Sequence, residues 1–440
     1  MSNVIEKGKK YNLYSWSAQS SINPTNIVRA EGIFFWDENG KRYYDMSSQL
    51  VNMNLGHGNK KIIRAIKDQA DKLAFISPSL SCDVRSEAAK RITEISGLDG
   101  AKVFFVNAGA EANENALKMA KAYTGRNKFL SMYRSYHGAT YGAANLTGEP
   151  RRFINEPGIP GFIKFEGPYE YRAPKACKFY SEEDVTSYYL ELFENQIHYE
   201  GPSNIAAVFL ETVVGSNGVL IPPKGYLQGV RALCDEYGIC MVCDEVMSGF
   251  GRTGKWFAFQ NWDIKPDLVT FAKGSTCGYV PLGGVIASRN IADHFDNNKM
   301  FCGLTYSGHP IGCAAAIAAI EVYEEENIFH NVQKVGALLA DKLSEIKYRH
   351  PCVGDVRHIG LFSTIELVKS KDTREPIVPF GSDPEGIMPK IIGMLKEKGF
   401  YTYSHENMVH ISPPLIITTD QLREAIAILD DVLFQVDIMK

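Results

Sequence analysis

The chain has 440 residues with a formal net charge of −4, 45% hydrophobic and 22% charged side chains. That length exceeds one small core and predicts two or three lobes, and the weak acidity without a long basic run excludes the electrostatic footprint of a nucleic-acid binder. The start, Met1 to Lys7, lacks the apolar core of a secretion signal, and the longest small, apolar stretch, around Gly312 to Ile320, falls short of a membrane span, so a cytoplasmic protein is expected. In chain order, residues 1–58 hold short aromatic strands, and 34–44 reads as a hairpin turning at Asn39-Gly40. Ile62, Ile63, Ile66, Ala70 and Leu73 recur at helical spacing. Between about 100 and 310, strands at 103–106, 128–132, 206–211, 239–244, 268–272 and 284–288 alternate with helices that include 110–123 and 226–237. This alternation predicts an α/β fold with a mostly parallel sheet. A long broken helix at 320–343, a few strands and a closing amphipathic helix at 419–436 predict an α+β lobe. The expected division is a large lobe at 59–320 and a smaller one from 1–58 and 321–440.

Lys273 ends the apolar run Leu268-Val269-Thr270-Phe271-Ala272, where an ammonium is out of place unless it is paired or neutralised. Asp244 closes Ile239-Cys240-Met241-Val242-Cys243. Open α/β sheets bind ligands at the carboxyl ends of their strands. An amine and a carboxylate delivered there are what a pyridoxal 5′-phosphate (PLP) enzyme needs: the amine forms a Schiff base and the acid keeps the pyridine nitrogen protonated. Upstream, a strand ending at Val106 runs through Asn107-Ala108-Gly109-Ala110-Glu111 into a helix, which offers backbone N–H groups to a phosphate. An ordinary tight turn uses the same residues. Tyr136-His137-Gly138 follows another strand, and Tyr136 is either a ring-stacking residue or simple packing.

Two patterns point elsewhere. Gly249-Phe250-Gly251-Arg252-Thr253-Gly254-Lys255-Trp256 fits G-x-G-x-x-G and nearly fits a P-loop, but Trp256 leaves no hydroxyl for magnesium and no helix opens next. A glycine-shaped active-site loop is the preferred reading. Of nine cysteines, Cys240 and Cys243 have C-x-x-C spacing inside an apolar strand, which predicts reduced core thiols.

Asp244-Glu245-Val246-x-x-Gly249-Phe250-Gly251-Arg252-Thr253-Gly254, Ala272-Lys273-Gly274, Pro281-Leu282-Gly283-Gly284, Thr305-Tyr306-Ser307-Gly308-His309-Pro310 and Pro413-Pro414-Leu415 together resemble the class III (omega) aminotransferases. The resemblance implies a fold-type I PLP enzyme, a homodimer or dimer of dimers, with a seven-stranded large domain and active sites at the subunit interface. It makes Lys273 the Schiff-base lysine and proton shuttle and pairs Asp244 with the pyridine nitrogen. Val246 and Tyr136 would cover the two ring faces, with His137 beside them. Gly109 and Ala110 would hold the phosphate, Thr305 of a second subunit would complete its cup, and Glu211 would lie near the substrate.

Asn12 to Gln19 and Thr147-Gly148-Glu149-Pro150-Arg151-Arg152 resemble a taurine–2-oxoglutarate branch of the family. Trp16 would then line the substrate pocket, and Arg152, unless it is an ordinary surface arginine, would grip a sulfonate or carboxylate. Residues 399–412 lack the arginine that many members place before Pro413-Pro414. Tyr403 or His405 is the substitute there, and both 2-oxoglutarate and pyruvate stay open as acceptors. The expected reaction moves a terminal amine, from taurine or a similar short anionic donor, to a 2-oxo acid. The alternatives are another PLP reaction (epimerase, aminomutase or decarboxylase) and a nucleotide-binding dehydrogenase built on the Gly249 loop.

Overall fold

The computed structural model describes residues 3–174 and 176–439; the expected small-lobe ends Met1, Ser2 and Lys440 lie outside the described residues. Near the N-terminus, β1 (Ile27–Glu31), β2 (Phe34–Asp37) and β3 (Arg42–Asp45) form an antiparallel meander. The expected hairpin is there. The Asp37 carboxylate accepts the N–H groups of Asn39 and Lys41 at 2.9 and 3.0 Å, and Gly40 takes φ 79°, a left-handed conformation that glycine enters without a Cβ penalty.

Seven strands build the central sheet: β4 (Lys102–Val106), β5 (Lys128–Met132), β6 (Phe162–Phe165), β7 (Ile205–Glu211), β8 (Cys240–Asp244), β9 (Leu268–Phe271) and β10 (Gly283–Ala287). Their order is β4-β10-β9-β8-β7-β5-β6. β6-β5-β7-β8-β9 pair in parallel, and β10 runs antiparallel to both β9 and β4. Every residue of β7, β8 and β9 is buried, as central strands covered by helices on both faces must be. β6 was not expected. It is a four-residue edge strand, half-buried, with Lys164 inside it, so it carries neither a long apolar run nor a clean alternation.

The helix Gly109–Thr124 packs across the sheet and stops at Gly125, which is left-handed at φ 70°. The long helix expected at 320–343 is two helices, Pro310–Glu325 and Ile328–Arg349, parted by Asn327 at φ 50°. The first was missed over its initial turns because Pro310–Ile320 is small and buried nearly all round, packed on the helices Lys60–Lys72 and Asp83–Ser96. A helix buried on all sides has no polar stripe to reveal its period.

After that pair come β11 (Val353–Ile359), β12 (Phe362–Ser370), β13 (Glu375–Pro376), β14 (Phe400–Tyr401), β15 (Ser404–His405) and β16 (Met408–Ile411). β11, β12, β16 and β15 form an antiparallel sheet, and β14 leaves it to pair in parallel with β3. The first and last parts of the chain are thereby joined. The closing helix Thr419–Ile438 starts in a capping box made by Thr418 and Gln421. No helix among the described residues is long and apolar enough to cross a membrane.

The Gly249 loop opens no helix. Its Phe250 N–H donates to Trp256 O at 2.5 Å, closing a turn, and a short 3-10 turn, Ala258–Asn261, follows. Arg252 is fully buried and donates to Leu361 O, Pro413 O, Ser48 Oγ and Asn54 Oδ1 at 2.6–3.0 Å. Four acceptors make that buried cation tolerable, and they tie the loop to both ends of the chain. The loop is therefore a strut between early and late parts of the chain, and residues 249–254 are not among those that line the cavity at the carboxyl ends of the strands, unlike the active-site loop expected there. Cys240 and Cys243 are free and buried in β8, and burial pushes both thiols up, Cys240 to about 12.

Candidate active site

Strand register sets the floor of the site. Glu211 stands opposite Asp244 and Asp244 opposite Thr270, so three neighbouring parallel strands end at one level. Lys273 comes three residues after Thr270, in a tight turn where it takes φ 43°. A left-handed lysine is strained, and such conformations persist where the surroundings impose them. A cavity of about 470 Å³ opens here, lined by Lys273, Asp244, Glu211, Tyr136, Val246 and the turn at 107–110, among others. It lies at the carboxyl ends of the strands, as expected.

Asp244 is 4% exposed. Its Oδ2 is 2.7 Å from His137 Nδ1 and accepts Asn113 Nδ2 at 2.8 Å, while Oδ1 accepts the Val246 N–H at 3.0 Å. Asn113 is in turn fixed by Thr270 Oγ1, which donates to its Oδ1 at 2.9 Å. Each such bond to a charged group contributes about 1.5–3 kcal/mol, and together they allow this carboxylate a single orientation. Burial pushes the Lys273 amine below its ordinary value, against the pull of Asp244 and Glu211 and with the help of Arg151. Glu211 accepts the N–H groups of Tyr136 and Gly215 at 2.7 and 2.9 Å. Burial nevertheless raises its carboxyl to about 7, with the His137 charge opposing and Asp244 adding to the rise.

The next residue along, Glu245, holds the wall in place. Its two oxygens accept Thr212 Oγ1, Ser248 Oγ and the N–H groups of Ala258 and Phe259 at 2.6–2.9 Å. This fixes the turn that presents Val246. A Cβ on Gly109 would come within 2.7 Å of Val246, and one on Gly138 within 2.6 Å of Ala110, so both glycines are required by close approach. At the start of the helix Gly109–Thr124 the first N–H groups have no intrahelical acceptor, and the extended Ala108 aims that end at the cavity. A fixed carboxylate, a buried amine whose proton affinity is lowered, an aromatic and a valine on the walls and an anion-binding helix start fit PLP. No metal-ligating cluster of His, Cys, Asp and Glu occurs among the described residues.

At the other end, the structure places the two arginines differently from the sequence reading. Arg152 turns away, its Nε 2.9 Å from Glu156 and its Nη1 donating to Gly148 O at 3.2 Å. Arg151, one residue earlier, lies over Tyr136 with its guanidinium carbon 3.8 Å from the ring centre and 5.4 Å from that of Trp16. It donates to Glu149 Oε1 at 2.5 Å and to Ser216 Oγ at 3.1 Å. The turn Pro150–Asn155 is a 3-10 helix, with about three residues per turn, so adjacent side chains diverge widely. Trp16 is 64% exposed and meets Tyr136 edge-on at 6.3 Å. Tyr403 is half-buried and stacks against His410, and His405 hydrogen-bonds Asn217 at 2.9 Å, so neither supplies an arginine-like fork. Thr305 is exposed and away from this chain's own cavity lining.

Sequence reasoning did not find Asn113, Thr270, Arg151, Glu149 or Ser216. Asn113 had a faint signal, an amide inside an otherwise alanine-rich helix start. The others become neighbours only through the fold.

The family model "Aminotransferase class-III" matches residues 16–433. The structure of taurine:2-oxoglutarate aminotransferase from Bifidobacterium kashiwanohense, solved with PLP and glutamate, superposes with a TM-score of 0.96 at 47% identity, covering 99% of this chain and 97% of that one. The chain is also similar to the taurine–pyruvate aminotransferase of Bilophila wadsworthia, 31% identical over 97% of this chain and 96% of that one. The leucine/methionine racemase of Thermococcus litoralis is 32% identical over 96% of this chain and 93% of its own length. With the family model spanning nearly the whole sequence and the cavity fitted to its cofactor, the chain belongs to the class III aminotransferases, PLP enzymes of fold type I.

Proposed function

We propose that this enzyme transfers the terminal amino group of a short donor with an anionic far end, taurine first among the candidates, to 2-oxoglutarate or pyruvate. One observation carries the donor class: the Arg151 guanidinium is held at the cavity rim, stacked on Tyr136 and bonded to Ser216, both of which line the cavity that holds Lys273. A planar guanidinium with free edge N–H groups suits a sulfonate or carboxylate. The similarity to two taurine aminotransferases supports the same reading.

When bound, PLP draws electron density from the substrate carbon that loses its proton. Asp244, oriented by His137 and Asn113, would hold the heterocycle's nitrogen protonated. Gly109 and Ala110 would bind its phosphate, and Val246 and Tyr136 would confine the ring. Lys273 Nζ, its proton affinity lowered by burial, would attach the cofactor and then carry the proton as general base and acid. Glu211 would hold the Tyr136 turn, and Trp16 would close the donor pocket. We take 59–320 as the cofactor lobe and 1–58 with 321–440 as the smaller one, supported by the β3–β14 pairing. A dimer or dimer of dimers, in which the exposed Thr305 reaches the second subunit's phosphate site, completes the proposal.

The test is a panel of taurine, β-alanine, 4-aminobutyrate, lysine and uncharged amines against both oxo acids. Donor alone must convert the cofactor to its pyridoxamine form, which a racemase or decarboxylase cycle does not require. Preference for uncharged amines over taurine and β-alanine would reject the anionic-donor reading.

A further inference from the structure

Resting on the assignment of Arg151 as the anion grip, the surroundings of Glu149 pose a charge problem. Glu149 is 1% exposed and already neutralises Arg151 through Oε1 at 2.5 Å. A substrate sulfonate or carboxylate arriving on the same guanidinium would leave two anions against one cation in a buried pocket. An uncompensated buried charge is strongly unfavourable. The other carboxylate oxygen, Glu149 Oε2, is buried with no hydrogen-bond partner among the described residues. The ring atom that faces it is His405 Nε2, at 3.6 Å, which also lies 2.9 Å from Asn217 Oδ1.

Neighbouring polar atoms share this unfinished state. His410 Nε2 is held by Ser216 O at 3.0 Å, and its buried Nδ1 and the buried Asn217 Nδ2 have no partner among the described residues. The groups that set the local field are Arg151 and Arg134 on the cationic side and Glu406 on the anionic side, with Tyr136, Tyr403 and His410 around them. Farther along the cavity lie Glu211 and Lys273.

We propose that Glu149 and His405 form a proton-accepting pair, so that docking an anionic substrate on Arg151 takes up one proton from solvent and keeps the pocket's charge balanced. Because His405 Nε2 donates its hydrogen to Asn217 Oδ1, the added proton goes either to Glu149 Oε2 or to His405 Nδ1, the resulting imidazolium then facing the carboxylate through Nε2–H; no other bond is made or broken. Burial raises the Glu149 carboxyl above its ordinary range, against Arg151. The imidazole of His405 is held down to about 4 by burial and by Arg151 and Arg134. The substrate's negative charge would raise the proton affinity of both groups. The device is a specificity determinant. It favours donors and acceptors that bring a full negative charge, and it makes their binding weaken with rising pH.

The probe is propane-1-sulfonate, an anion with no amine to titrate, added to holoenzyme near pH 7 in buffers of different ionisation enthalpy. Calorimetry should show uptake of about one proton per bound anion, falling below about 0.2 in Glu149→Gln. Uptake below about 0.2 in the unmodified enzyme, or unchanged uptake in Glu149→Gln, overturns the proposal. His405→Phe is the second variant: uptake there should fall to about half or less, and full uptake would remove His405 from the pair. Arg151→Ala separates the two readings. If it leaves sulfonate affinity intact, the anion-grip assignment fails. If it abolishes affinity while the native enzyme takes up no proton, only the present inference fails.

Discussion

The two ends of the cavity are built on different principles. At the cofactor end, Glu211, Asp244 and Thr270 are register neighbours on parallel strands, and a hydrogen-bonded chain from Thr270 through Asn113 to Asp244 leaves no rotamer free. At the substrate end, Trp16, Arg151, Ser216 and His405 come from four separate parts of the chain, and polar atoms of Glu149, Asn217 and His410 lie buried without partners among the described residues. A rigid frame suits a cofactor that stays in place through both half-reactions. A set of loop residues with spare hydrogen-bonding capacity suits a pocket that must take a donor and then a differently shaped acceptor.

The comparison predicts that damage at the frame abolishes chemistry while damage at the loops redistributes substrate preference. Lys273→Ala should cost about 10³-fold or more in turnover at saturating donor, with PLP retained only non-covalently; near-normal single-turnover rates would break the frame's assignment. Asp244→Asn keeps the shape and removes the charge. Its kcat should fall about 10²–10³-fold, because a fixed charge aimed at the reacting system is lost. Equal losses in affinity and none in rate would mean that Asp244 only binds.

Arg151→Ala should raise the KM for an anionic donor about 10–100-fold, the loss of one or two charge-assisted hydrogen bonds, and hardly change that for an uncharged amine. Arg152→Ala, which breaks a partly exposed pair with Glu156 and a bond to Gly148 O, should stay within about 2–3-fold for both. If the two results exchange places, the side-chain divergence at Pro150–Asn155 has been misassigned. The smallest effect concerns Glu211. Its folded-state carboxyl, raised to about 7, takes up a proton on folding between pH 4.5 and 7, so its contribution to stability declines as pH rises through that window. Melting of the cofactor-free protein should therefore fall between pH 5 and pH 8 by about 1–3 °C more than in Glu211→Gln. Parallel curves would show that Glu211 is ionised throughout.

Much of the frame was legible beforehand. Lys273 and Asp244 announce themselves as charges ending apolar runs, and the strands expected at 206–211 and 239–244 were visible because central parallel strands are buried on both faces and read as apolar runs. The edge strand Phe162–Phe165 and the alanine-rich helix from Pro310 were not, one being too short and broken by Lys164, the other lacking a polar face. The pocket residues gave weaker signals still. Arg151 and Arg152 are equivalent as letters, and only the 3-10 geometry of their turn decides which one stacks on Tyr136.

Sequence alone, then, determined the α/β architecture and the two charged strand ends, because patterned hydrophobicity and local turn chemistry act over a few residues at a time, while the class III family was legible only through the resemblance of its motifs. Tertiary structure alone decided which arginine faces the pocket, that the Gly249 loop is a buried strut around Arg252, and that Glu149 meets His405 across 256 positions of chain (405 − 149). Those outcomes depend on long-range closure, where the partner of a charge is set by how whole layers pack and not by its neighbours in the chain.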